Sequence, residues 1–169
     1  MIMQAAFGQE ELLTDILKEH QNNHLTLLEP ADEKSDFQLI TFDDDKIFSD
    51  PFKYDVLNQL GDNKLDGFFS FMYFDLNKEL LKPFLAASQN LFEQSVDSWG
   101  LNKLFLLKYQ IKNDIQYTIL SVWKDKSAYQ DWYDHIYAPL FSRFIKITAK
   151  IESYDEALYR NIDPDEDHE

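Results

Sequence analysis

The 169-residue chain has no cysteine, four glycines, five prolines and four histidines, and it lacks any long apolar run. Each shortage excludes a class of chemistry. Without cysteine there is no disulfide framework, no thiolate nucleophile and no thiolate metal site. The few glycines form no phosphate-cradling loop. His20, His24, His135 and His168 are too scattered for a metal-ligand spacing. No G-x-S-x-G elbow or paired-carboxylate motif stands out. No segment is apolar for long enough to span a bilayer, and no secretory core opens the chain. These features read as a soluble cytoplasmic protein with no membrane insertion.

Basic side chains are also scarce, 16 against 31 acids, for a net charge of −15. Residues 1–66 carry a net of −10, residues 67–150 a net of +2, and residues 151–169 a net of −7. Such a field repels nucleic acid and anionic membranes, so neither is expected as a partner. The near-neutral middle is where a pocket for an apolar or anionic ligand is expected.

Aromatics, by contrast, are abundant: 14 Phe, 9 Tyr and 3 Trp. They concentrate in the stretch that organises the chain, Leu104 to Phe144. Leu104–Ile111 and Ile115–Trp123 read as strands joined by a tight Lys112-Asn113-Asp114 turn. A helix follows, capped by Asp125 or Ser127, with Ala128, Tyr129, Trp132, Tyr133 and Ile136 at helical spacing. Pro139 is expected to end or interrupt it, with Leu140, Phe141 and Phe144 continuing the apolar content.

Upstream, the pattern predicts a strand over 1–7, a helix over 9–20, and strands over 24–28 and 37–42. Asp43-Asp44-Asp45 lacks the spacing of a calcium loop and reads as a solvated turn. Ser49-Asp50-Pro51 predicts a helix start, with Phe52, Val56, Leu57 and Leu60 as its buried face and Gly61 as its stop. Phe68–Phe74 is apolar at nearly every position, the mark of a strand covered on both faces. A long helix begins at Asn77 or at Leu81–Pro83, and a last strand is expected over Ile145–Tyr159. The acidic tail around Asp163–Asp167 reads as disordered. Charge and composition both shift near residue 66. The expected organisation is therefore an acidic extension over 1–66, a strand-helix-strand-strand-helix-strand domain over 67–160, and a tail over 161–169. No internal repeat is visible in the sequence.

The motif TILSVWKDKSAYQDWYDHIYAPLF carries a family resemblance. It has a strand ending in Trp123, a charged turn Lys124-Asp125-Lys126, and a helix bearing Tyr129-Gln130-Asp131-Trp132. In this, Phe68–Phe144 resembles the antibiotic biosynthesis monooxygenase superfamily. FDDDKIFSDPFKYDVLNQLG, followed by a Phe-rich strand, is similar to the two-part members with an N-terminal extension, the TRAP-like and haem-monooxygenase-like proteins. The resemblance implies an α+β fold: a ferredoxin-like βαββαβ domain forming a dimeric α+β barrel, with an N-terminal α/β extension. It also implies a homodimer, the alternative being that the N-terminal extension covers the open sheet face within one chain.

Haem-degrading members imply a Trp that ruffles the haem, a His that ligates iron, and an Asn on the first strand. Trp132 matches the first, Ser142 stands where the His is expected, and Phe68–Asp75 contains no Asn, Asn77 lying beyond it. Iron would lack its proximal ligand, so no cofactor is expected, with haem as the alternative. The ligand-pocket candidates are Trp132, His135, Tyr129, Trp123, Phe71 and Ser142, for a small apolar or aromatic ligand. Trp99, Tyr109 and Tyr117 are further possible walls, although aromatic stripes at helical spacing ordinarily form core. No catalytic residue and no metal ligand is assigned. The expected function is a TRAP-like, non-haem or non-catalytic barrel in stress or signalling. The alternative is a monooxygenase, haem-degrading or cofactor-independent.

Overall fold

The computed structural model describes residues 1–61, 65–145 and 151–162. The acidic tail expected to be disordered lies outside the described residues. Eight strands form a closed barrel: β1 (Ile2–Gly8), β2 (Leu25–Pro30), β3 (Phe37–Thr41), β4 (Phe52–Leu60), β5 (Phe68–Leu76), β6 (Leu101–Ile111), β7 (Asp114–Trp123) and β8 (Ile151–Ile162). Around the barrel the strands run β1-β3-β2-β8-β5-β7-β6-β4, and β4 returns to pair with β1. Helix α1 (Glu10–Glu19) follows β1, α2 (Lys78–Ser95) follows β5, and α3 (Lys126–Trp132) follows β7. A π-turn over Tyr133–Tyr137 links α3 to α4 (Ala138–Ile145).

Strands β5 to β8 make the expected βαββαβ unit, with β5 flanked by β7 and β8. Strands β1 to β4 repeat the same sheet order: β1 lies between β3 and β4, and β2 pairs with β3. The extension is thus a second sheet of the same topology, without a helix between its last two strands. The two sheets join edge to edge through β2–β8 and β4–β6, all antiparallel. Closure of the barrel, which the family resemblance assigns to a second copy, is made within one chain.

Three apolar layers result. Phe69, Phe71, Phe105, Leu107, Leu120, Val122 and Tyr54 fill the barrel interior. On one outer side Met72, Phe74, Leu104 and Ile119 meet Phe84 and Leu91 of α2 and Trp132, Tyr137, Phe141 and Phe144 beyond β7. On the other, Leu13 of α1 packs on Leu27, Leu39 and Phe48. Along β5, Phe69 and Phe71 point inward while Met72 and Phe74 point under the helices. This explains why that strand is apolar on both faces.

Local signals act as expected at several ends. Asn77 Oδ1 accepts the Leu80 N–H at 3.1 Å and Asp125 Oδ1 accepts the Ala128 N–H at 2.9 Å, capping α2 and α3. Lys112 adopts φ 55° in the β6–β7 turn. The Asp43–Asp45 turn is held rather than merely solvated. Asn23 Nδ2 donates to the carboxylates of Asp43 and Asp45 at 3.1 and 2.7 Å, and the His24 N–H donates to Asp43 at 2.9 Å. These hydrogen bonds, the His24 backbone first, hold the Asp43 carboxyl below its ordinary range.

Three expectations are corrected. Residues 52–60 are strand β4, not a helix. A β-bulge at Leu57 shifts the register, so Val56 faces the barrel interior and Leu60 the helix-side core, four residues apart as on a helix. Pro51 precedes the first strand residue, where no ladder N–H is needed. Second, Pro139 does not end the helix but interrupts it: it lies inside α4, and the wide turn before it, with the Ala138 N–H on the Tyr133 carbonyl, accommodates it. Third, Ile145 ends α4, where it continues the Phe141 and Phe144 stripe, and the last strand begins at Ile151. Ile147 and Ala149 of that expected strand lie outside the described residues.

Since one chain completes its own barrel, sedimentation equilibrium at micromolar concentration is expected to give a mass near 20.1 kDa. A stable species of twice that mass would contradict a self-sufficient barrel.

Candidate functional site

The candidate residues divide among three places. Trp132, at the C-terminal end of α3, is 3% exposed, its ring 5.1 Å from that of Trp123 and 5.3 Å from that of Tyr137. Its indole N–H donates to Ser95 Oγ at 2.9 Å, and Ser95 in turn donates to the Leu91 carbonyl. Both ends of this side chain are therefore satisfied inside the core. Trp123 is fully buried at the end of β7, and its indole N–H has no hydrogen-bond partner among the described residues. His135 is exposed on the π-turn, with Nδ1 at 2.8 Å from the Asp131 carbonyl. Trp123, Trp132 and His135 share the wall of one surface groove.

Tyr129 lies behind that wall, its ring 5.3 Å from Phe68. Its hydroxyl meets Ser70, whose own hydroxyl pairs with that of Ser121 across the β5–β7 ladder. Phe71 belongs to another layer: it is inside the barrel, against Tyr73 and Tyr159. Ser142 faces solvent on α4. Tyr117 packs with the helix-side core and Tyr109 with the barrel interior. Asn77 is a helix cap. His24 stands 3.6 Å from Asp43, and among the described residues no group of His, Asp and Glu could hold a metal ion.

Sequence reasoning missed a hydroxyl chain below the π-turn. Tyr154 donates to Glu156 Oε1 at 2.7 Å, so the 2.9 Å contact between the two phenols is donated by Tyr137. Tyr133 also bonds Glu156. The chain leads from a fully buried phenol to an exposed carboxylate. Burial pushes the phenols of Tyr129, Tyr137 and Tyr154 well above the ordinary range, and pushes Tyr133 up to about 12. Inside the barrel, burial raises Tyr54 to about 12 and Tyr73 further. The available signal was Tyr-x-Glu on one face of β8, with Tyr133 and Tyr137 one helical turn apart.

No protein-family model matches the chain. A monooxygenase-like protein from Listeria innocua superposes with a TM-score of 0.78 at 23% identity, over 95% of this chain and 93% of that one. A ferredoxin-fold protein from Listeria monocytogenes, described as related to antibiotic biosynthesis monooxygenases, gives 0.79 at 22% identity over 96% and 94%. The chain has their fold. A haem-degrading enzyme from Listeria monocytogenes matches with 0.76 at 21% identity, over 95% of this chain and 99% of that one. A major regulator of staphylococcal pathogenesis matches with 0.77 at 15% identity, over 96% and 100%. This monooxygenase-type fold therefore serves both a haem-degrading enzyme and a regulator.

The residue at the position of the iron ligand does not fit haem. Ser142, at the position the resemblance gives to the iron ligand, is exposed and has no ligating nitrogen. His135 keeps Nε2 free, since Nδ1 is held by the Asp131 carbonyl, but it stands exposed on the surface three residues from Trp132. The layer between helices and sheet is filled by Phe74, Phe84, Trp123, Trp132 and Phe141, all nearly or wholly buried.

Two outcomes follow from this packing. Trp132→Phe loses the bond to Ser95 and should cost about 1–2 kcal/mol, and Trp132→Ala about 3–5 kcal/mol, in urea unfolding. Unchanged midpoints would show that Trp132 is not structural. Separately, the folded state holds the phenol protons of Tyr54 and Tyr133 up to about 12, against 10.0 ordinarily. Their contribution to stability is complete below pH 10 and is lost as pH rises toward 12. Tyrosinate absorbance and circular dichroism should therefore change together across that window. Full tyrosine ionisation near pH 10 with the fold intact would refute it.

Proposed function

We propose that this chain is a non-haem, TRAP-like member of the antibiotic biosynthesis monooxygenase superfamily. It binds a small apolar or aromatic ligand as a cytoplasmic sensor in stress or signalling. The observation that carries the reading is the fate of the Trp132 and Ser142 pair. The tryptophan that the resemblance assigns to haem ruffling is spent on core packing and on Ser95, and the ligand position holds an exposed serine. A fold common to enzyme and regulator is compatible with a member that senses without turning over. Among the described residues no helix is long and apolar enough to cross a membrane.

We read residues 1–66 as the half that completes the barrel, and residues 67–160, extended by Asn161 and Ile162 of β8, as the half that carries the site. On this reading the homodimer of the resemblance is not required for the site, because β1–β4 occupy the place of the second copy. A cofactor-independent oxygenase is the second reading, favoured by the Tyr137–Tyr154–Glu156 chain, which could carry a proton between the buried layer and solvent.

Haem titration of the purified protein tests the first reading. The expected result is unsaturable, non-stoichiometric absorbance and no bleaching under reductant and air. A one-to-one Soret band that bleaches, and that disappears in His135→Ala, would overturn it.

A further inference from the structure

All three tryptophans of the chain, Trp99, Trp123 and Trp132, line one groove of about 310 Å³. It lies where the α2–β6 connection meets α3 and the π-turn, and Ser98, Asp131 and His135 also line it. That volume suits a small ligand of one ring with a short arm. Two of its lining residues carry a buried polar atom with no hydrogen-bond partner among the described residues: Trp123, at its indole N–H, and Ser98, at Oγ. Trp123 is 0% exposed, and an unmet donor at that depth calls for an acceptor.

The rim has the opposite character. The Asp131 side chain is exposed. A carbonyl can only accept, so the His135 nitrogen at 2.8 Å from the Asp131 carbonyl is the protonated one, leaving Nε2 of the neutral ring as an acceptor. The groove therefore offers a donor in depth, indole faces along its sides and acceptors at its mouth. The exposed Asp131 carboxylate favours a cation at that mouth.

We propose that this groove binds a small aromatic amine, with an oxygen acceptor on the Trp123 N–H, the ring against the indoles, and the ammonium at Asp131. This rests on the reading of the chain as a small-ligand barrel, and gives that reading a site and a ligand class. The Trp123 N–H is sealed from water, so the occupant must displace a wall. Trp99 is the exposed wall of the groove: it is 67% exposed and stands on the α2–β6 connection, with Lys124 Nζ 4.8 Å over its ring. Leaving so large an apolar side chain in water is unfavourable, and an occupant would cover it.

The placement of every tryptophan at the groove makes intrinsic fluorescence, excited at 295 nm, a reporter of this site. Tyramine is expected to change it saturably, one to one, in the micromolar range. Phenethylamine, lacking the hydroxyl, and tyrosol, lacking the ammonium, should each bind about tenfold more weakly. Trp123→Phe should bring tyramine down to the phenethylamine value and leave phenethylamine unchanged, and Trp99→Ala should weaken all three. If Trp123→Phe does not fold, the probe series on the wild type and on Trp99→Ala decides the matter.

No saturable change below millimolar tyramine would overturn the proposal, as expected if only water meets the two orphaned atoms. So would equal affinity for tyramine and phenethylamine. A haem titration of the same sample separates the two readings. Stoichiometric haem with tyramine binding intact would overturn the non-haem reading alone, and neither ligand binding would overturn the groove alone.

Discussion

Strand β4 pairs with β1 through Ile2–Ala5 and with β6 through Leu104–Lys108, and this double pairing turns two four-stranded sheets into a barrel. Without it, β1 and β6 would each present an open edge, and the inward residues Met3, Tyr54, Phe105 and Leu107 would meet water. With it, every strand has two neighbours, and the barrel interior becomes a sealed apolar layer. The helix-side layer depends on that closure as well. Met72, Phe74 and Ile119 offer a firm floor to α2 and to the α3–α4 segment because the opposite face of their sheet is already packed.

The two halves differ in what covers them. Beyond β7 the crossover contains α3, the π-turn and α4, and supplies half of the buried aromatics of the helix-side layer. Between β3 and β4 the chain makes only a short connection, anchored by Phe48 in the α1 core and by Gln4 Nε2 on the Asp43 and Asp45 carbonyls. The outward residues of β4 near it, Lys53, Asp55 and Asn58, are exposed and polar, as suits a sheet face with no helix over it. Chemistry-bearing side chains accordingly gather on one side of the barrel.

The C-terminal half was readable because its signals agree with one another. The tight β6–β7 turn, the Asp125 and Asn77 caps and the unbroken apolar run of β5 all favour the same topology. The first half was readable only in part. At β4 the bulge imitates a helical spacing, and no local feature betrays it. Nor does the sequence reveal that β1–β4 repeat the order of β5–β8, since a sheet order is specified by partners, not by matching residues. In the candidate site, Trp123 and Trp132 stand in a recognisable motif. Ser95, which takes the Trp132 N–H, is 37 residues away, and Phe71 lies inside the barrel, apart from the other candidates, a difference hidden because inward and outward positions of a doubly buried strand look alike in sequence.

The seam between β2 and β8 sets an order of events in time. Leu27 faces Ile162, and Arg160 reaches Glu29 at 2.7 Å across 131 residues of sequence. Loop closure over such a span must precede any gain from the contact, which places the chain among slowly folding, high-contact-order proteins. On the ribosome, β1–β4 emerge with the outer edges of β2 and β4 unpaired, and β2 stays so until the last described strand has been synthesised. Glu29 and the acidic character of residues 1–66 then serve a second purpose: they make the waiting half repel its neighbours during the interval when its edges could pair with another nascent chain.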